Sequence, residues 1–267
     1  MKRTSSTPGL VRRTVSELTI EDERSFRHVA LYADLKDVLV RAKYPFRVLP
    51  APLAGRMDRA LLLNLTFWGA DAGGDVLEID TIPADVVAHA AWHHLAAKAL
   101  PAAREARPSA DALFLGEAIA SAFDVYLVGR LLGHAKSSSF LESQVPAMAD
   151  AADAAGLTEE HFEAMLEGIA ADPERAFGDL RELLFDATSA LFACDGVDDA
   201  LVKLADFDDH RFASLLHRYE LSNWVLYARA YGDPHPDERA RAIDAALRRE
   251  EAPIEWLTTA WIAPALR

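Results

Sequence analysis

From Thr81 to the C-terminus the apolar residues recur at three- and four-residue spacing, a period that confines most of this chain to helices. Thr81 is expected to cap the first of these helices, with Pro83 in its first turn, and the helix runs to about Leu100. Pro101 and Pro108 bound a loop, after which Ser109 caps a second helix from Ala110 to Leu132, ended by Gly133. Further helices are predicted near 140–155, 158–171, 173–192, 197–204, 209–231 and 236–249, before a Trp-containing tail. No internal repeat at a fixed period is visible.

The first eighty residues read differently. Residues 1–18 are polar and basic and predict a mobile arm. Thr19 and Asp22 have the spacing of a helix-capping box, and a helical period follows through Phe26, Val29, Ala33, Leu35 and Leu39 to about Lys43, where Pro45 stops it. Three stretches have strand character: Phe46 to Leu49, Ala60 to Trp68, and Asp75 to Asp80. Ala72-Gly73-Gly74 predicts a hairpin turn between the last two. The fold class is therefore α+β, mostly helical, with a small N-terminal sheet layer and a C-terminal helical body. The expected domains are the arm at 1–18, an α+β unit at 19–135 and a helical unit packed on it at 136–267.

Charge narrows the partners. The 267 residues carry 28 Lys plus Arg against 42 Asp plus Glu, a formal net charge of -14. Residues 1–60 are net basic, whereas residues 150–210 hold 3 basic and 17 acidic side chains. The balance argues against nucleic acid as a partner of the body and against an anionic membrane surface. The acidic 150–210 segment is a solvated set of helix faces or a docking surface for a basic protein partner. No apolar run is read as long enough to span a bilayer, and the basic start lacks the apolar stretch of a signal peptide. One cysteine, Cys194, excludes an intrachain disulfide, and a cytoplasmic location is expected.

Chemistry concentrates on the first long helix. His89 and His93 are one turn apart on one face, the spacing with which two imidazoles share a divalent cation. Val86, Ala96, Ala97 and Leu100 continue that face, so it is expected to be buried. His94 points about 100° away and does not substitute for His93. The next helix places Glu117 in an apolar stretch, where an acid is costly unless paired or bound to metal. Asp124, two turns on, shares its face.

These residues resemble the gluzincin group of zinc metallopeptidases. Val87 to Ala96 is similar to their active-site helix, and Gly116-Glu117-Ala118-Ile119-Ala120 to the helix bearing the third ligand. The resemblance covers roughly residues 60–132 and implies zinc held by His89, His93 and Glu117. Asp124, Asp85 and Ser121 are the expected supports around the ligands. One position departs from the family: Ala90 stands where the general-base Glu follows the first histidine, and removing such a base costs on the order of 10²–10⁴ in rate. Ser121 likewise replaces the family's supporting Asp. The resemblance thus implies a metallopeptidase relative that binds zinc, or once did, and acts through binding without ordinary peptide hydrolysis.

The alternatives are a metal-free helical interaction protein, a hydrolase with a relocated base, and a non-haem iron enzyme, since two histidines and a carboxylate also form the iron facial triad. A diiron bundle is disfavoured: only Asp206-x-x-x-His210 and His217-x-x-Glu220 approach its pattern. No phosphate-cradling glycine loop and no serine-hydrolase elbow occur. Trp224, Tyr227 and Tyr231 recur at helical spacing and are expected to be core. Cys194 is expected to be a buried apolar residue, and His235 an exposed one.

Overall fold

A computed structural model describes residues 9–65, 76–101, 107–135 and 137–267. The chain is a mostly helical α+β protein. Its described strands are short: β1 (Val11–Thr14), β2 (Thr19–Glu21), β3 (Pro45–Val48), β4 (Val76–Leu77) and β5 (Thr81–Pro83). β3 pairs antiparallel with β1 and parallel with β4, while β2 and β5 form a separate parallel pair. The helices are α1 (Ala30–Ala42), α2 (Met57–Leu65), α3 (Ala84–Ala99), α4 (Ala110–Leu131), α5 (Ser139–Ala154), α6 (Glu159–Ala171), α7 (Pro173–Ala193), α8 (Val197–Ala205), α9 (Leu221–Tyr231), α10 (Glu238–Leu247) and α11 (Pro253–Leu257).

The architecture is organised around α4. A helix that is apolar on every side is buried on every side. α4 is packed by α3, α5, α6, α7, α9 and α10. By length and composition it would also cross a membrane, contrary to the sequence reading, but 83% of its most apolar window is buried inside the protein. From Ala110 to Gly129 only Leu113, Glu117 and Asp124 are not fully buried. Their spacing, four and then seven residues, puts them on one narrow stripe, so α4 shows two carboxylates along its single open side.

α3 lies beside that stripe. Pro83 in extended conformation closes β5 and opens the helix, with Ile82 buried in the strand pair beneath. Small residues then allow close approach: a Cβ added at Gly116 would stand 3.3 Å from the Ala96 Cβ. Trp92 and Phe123, both fully buried, meet edge to face across the same helix pair at 5.4 Å between ring centres. One continuous buried cluster runs from Val15 through α3 and α4 to Ile262, drawing on residues both before and after 135.

Several local expectations are corrected. The arm predicted over 1–18 does not extend to its end: Val11–Thr14 is a paired strand and Val15 is buried, while residues 1–8 lie outside the described ones. The capping box belongs to Thr14 and Glu17, not Thr19 and Asp22, because 19–21 is taken up by the strand pair. Thr81 is likewise a strand residue, and α3 starts at Ala84 with no side-chain cap. The strand expected from Ala60 to Trp68 is helix α2 as far as Leu65, with the remainder, like the hairpin turn at 72–74, outside the described residues. β4 pairs with β3 instead of returning on that segment. The helix predicted over 209–231 is broken at Glu220, whose positive φ separates a 3-10 turn (Ala213–Tyr219) from α9. Ser109 caps α4 as predicted, its hydroxyl accepting from the Ala112 N–H.

Candidate metal centre

His89 and His93 project from the side of α3 that faces the open stripe of α4. Their face is only partly the buried one that the sequence suggests: Ala96 and Leu100 are buried, but Val86 and the two histidines are not. Val87, Ala88, Ala91, Trp92 and Leu95 fill the core, whereas Ala97 is exposed and both histidine side chains are about one-third exposed, at 33% and 35%. Glu117 is similarly half-open at 37%, so it does not carry the full cost of a buried acid.

The three side chains converge. The two Nε2 atoms are 3.1 Å apart, and Glu117 Oε2 lies 3.6 Å from His93 Nε2. One ligand atom from each of the three falls within 4.8 Å of the others. Ligands at about 2.0–2.1 Å around a tetrahedral zinc stand roughly 3.3 Å from one another. The 3.1 and 3.6 Å separations straddle that value, and with all three donor atoms within 4.8 Å the group could hold a divalent ion. Two imidazoles and a carboxylate suit zinc and several first-row ions alike. A His-His-Glu group able to hold a metal ion is thus present.

Asp124 stands behind His89, its Oδ2 at 3.6 Å from Nδ1, slightly beyond a hydrogen bond and on the ring edge away from Glu117. A carboxylate at that edge favours the tautomer with the proton on Nδ1, in which Nε2 carries the lone pair a metal takes. Asp85, one turn before His89, is half-buried in the first turn of α3. Burial, then the charge of Asp124, pushes its carboxyl up to about 6, with His89 pulling the other way. Ser121 is buried in α4 one turn after Glu117. His94 turns toward Tyr44, its Nε2 buried, and burial with Lys98 lowers its pKa to about 4. It is a neutral packing residue.

Two tyrosines, on the 3-10 turn and on α9, feel the charge of the Asp124 and Glu117 carboxylates. The Tyr219 phenol pKa is raised, mainly by burial, and Asp124 adds to the effect. Burial, the neighbouring Tyr231 and the charge of Glu117 raise that of Tyr227. α9 buries Leu221, Val225 and Ala228 instead, so the aromatic stripe expected to be core is an edge: Trp224 and Tyr227 are half-buried and Tyr231 is 42% exposed. The signal was the stripe itself, offset from the α9 core positions. Cys194 is buried as expected, its thiol donating to the Ala190 carbonyl. His235 is exposed beside Asp233, and His210 and His217 are not part of the cluster. Compared with known protein families, curated proteins and solved structures, the chain matches none.

Proposed function

We propose that this protein is a zinc-binding relative of gluzincin-type metallopeptidases that works by binding and does not hydrolyse ordinary peptides. The observation that carries the reading is the convergence of His89, His93 and Glu117 on one point from two tightly packed helices. A bound zinc would supply Lewis-acid polarisation of an oxygen ligand. The chain itself supplies the ligand cradle and the Asp124 carboxylate beside His89. What it does not supply is a carboxylate after the first histidine: Ala90 is a buried methyl there. A second reading, hydrolysis with a relocated base, is favoured by Asp85, a half-buried carboxyl near His89 whose raised pKa suits proton exchange near neutrality.

Untagged protein is assayed for zinc after dialysis, alongside His89→Ala, and for cleavage of a casein substrate with and without Ala90→Glu. The proposal expects one zinc per chain, its loss in His89→Ala, and no cleavage by the native sequence. No metal in either protein refutes it. Zinc-dependent cleavage abolished by Asp85→Asn would transfer the case to the second reading.

A further inference from the structure

α8 carries the most exposed branched aliphatic side chains among the described residues. It contacts α7, with Ala200 and Leu204 half-buried, yet Val197, Leu201 and Val202 are 81%, 70% and 65% exposed. On a helix wheel the apolar arc leaves the half-buried edge at Leu204 and continues over Val197 and Leu201 to Ala205, where Asp198 borders it and Val202 stands beyond. Single exposed aliphatics are ordinary, but Val197 and Leu201 side by side, with Val202 across Asp198, make a patch that water solvates poorly. No residue of the arc touches the candidate metal centre.

Charge identifies the occupant. From Asp195 to Asp209 the chain holds six aspartates and one basic residue, Lys203. Two copies meeting face to face through α8 would oppose carboxylate to carboxylate, and an anionic membrane would repel the same rim. A surface with an apolar centre and an acidic border is complementary to an apolar stripe flanked by Lys or Arg. We propose that α8 is a docking surface for a basic amphipathic segment of a partner protein. Val197 and Leu201 are the central anchors, Val202 an outer one across Asp198, and Asp198 and Asp199 are the carboxylates that pair with its cations. This assignment is independent of the metal centre.

The test uses the full chain and a fluorescein-labelled Leu/Lys peptide whose leucines share one helical face, with a scrambled peptide of the same composition as control. Anisotropy should report binding of the amphipathic peptide. The triple variant Val197→Ser, Leu201→Ser, Val202→Ser should weaken it about tenfold or more, because two or three aliphatic side chains no longer leave water. Asp198→Asn with Asp199→Asn should weaken it several-fold at low salt and less at high salt. All five side chains are exposed, and the two aspartates also stand in the first turn of α8, so the carboxylate variant should lose at most about 1 kcal/mol of stability and both variants should keep the native circular dichroism at the assay temperature. Equal binding of the scrambled peptide, no binding by the native chain, or an unchanged triple variant would overturn the proposal. So would a native dimer, seen by sedimentation, that the triple variant disperses.

Discussion

Replacing His93 by alanine separates metal binding from folding. The imidazole is 35% exposed, and its hydrogen-bond partner His89 and its ion-pair neighbour Glu117 are both open to water. Truncation therefore leaves no closed cavity, and the metal-free fold should change by less than about 1 kcal/mol. The effect on zinc is of another size. Structural zinc sites with four protein ligands contribute about 10–16 kcal/mol, so one ligand is worth roughly 3–4 kcal/mol, or 10²–10³ in Kd. With free zinc buffered at a hundred times the native Kd, mass action stabilises the native chain by about 2.7 kcal/mol. For a chain of 267 residues that amounts to a rise in Tm of about 5–10 °C. In His93→Ala the same free zinc would stand at or below the new Kd, leaving under about 0.5 kcal/mol and a rise of at most roughly 2 °C. Differential scanning fluorimetry in chelator-buffered zinc measures both proteins directly. If the two Tm curves rise together, His93 is not a ligand. If neither rises, the centre does not bind zinc in the native fold.

Three further outcomes follow from particular contacts. Gly116→Val should force α3 and α4 apart, since even a Cβ would sit 3.3 Å from that of Ala96; overpacking of this kind costs about 1–3 kcal/mol, and zinc affinity by calorimetry should fall with the ligand convergence. Asp244→Ala strips the carboxylate from the buried Arg181 guanidinium, 1% exposed, and should lower unfolding free energy in urea by about 3–5 kcal/mol. Asp85→Asn should stabilise the metal-free protein in a pH-dependent way. The native carboxyl titrates near 6, above its unfolded value, so the folded state holds the extra proton between the two values and stability drains as pH rises toward 6. The advantage of the variant in urea titrations should thus grow from pH 4 to pH 7 by up to roughly 3 kcal/mol and then level off. An advantage that is flat or falls with pH would contradict the assigned titration.

The long helices were legible because their signals are local. Ser109 and Thr158 cap α4 and α6 through their own hydroxyls, and Pro173 occupies the first turn of α7. The His89–His93 pair was legible for the same reason, since a helix of any surroundings stacks residues four apart. The failures cluster where a segment is decided by a distant partner. Leu61 to Leu65 reads as a buried strand, yet it is helical, and the Asn64 side chain, in place of a strand backbone, bonds the Val76 backbone. Thr19 and Thr81 look like helix caps, but each other's strands claim them. Burial was misread on α3 because periodicity gives a face without saying which body covers it.

The sequence by itself determined that this chain is mostly helical and that two imidazoles stand one turn apart on α3, because both follow from backbone geometry and neighbours within four residues. Which carboxylate those imidazoles meet was decided by tertiary structure alone. α4 is apolar all round, so its own pattern selects no face; the surrounding helices bury all but the stripe of Leu113, Glu117 and Asp124. The close contact of Gly116 with Ala96 then brings that stripe within ligand distance of His89 and His93. The acidic charge is a property of the sequence, but its apolar centre on α8 emerged only when the fold left Val197, Leu201 and Val202 without a neighbour to cover them.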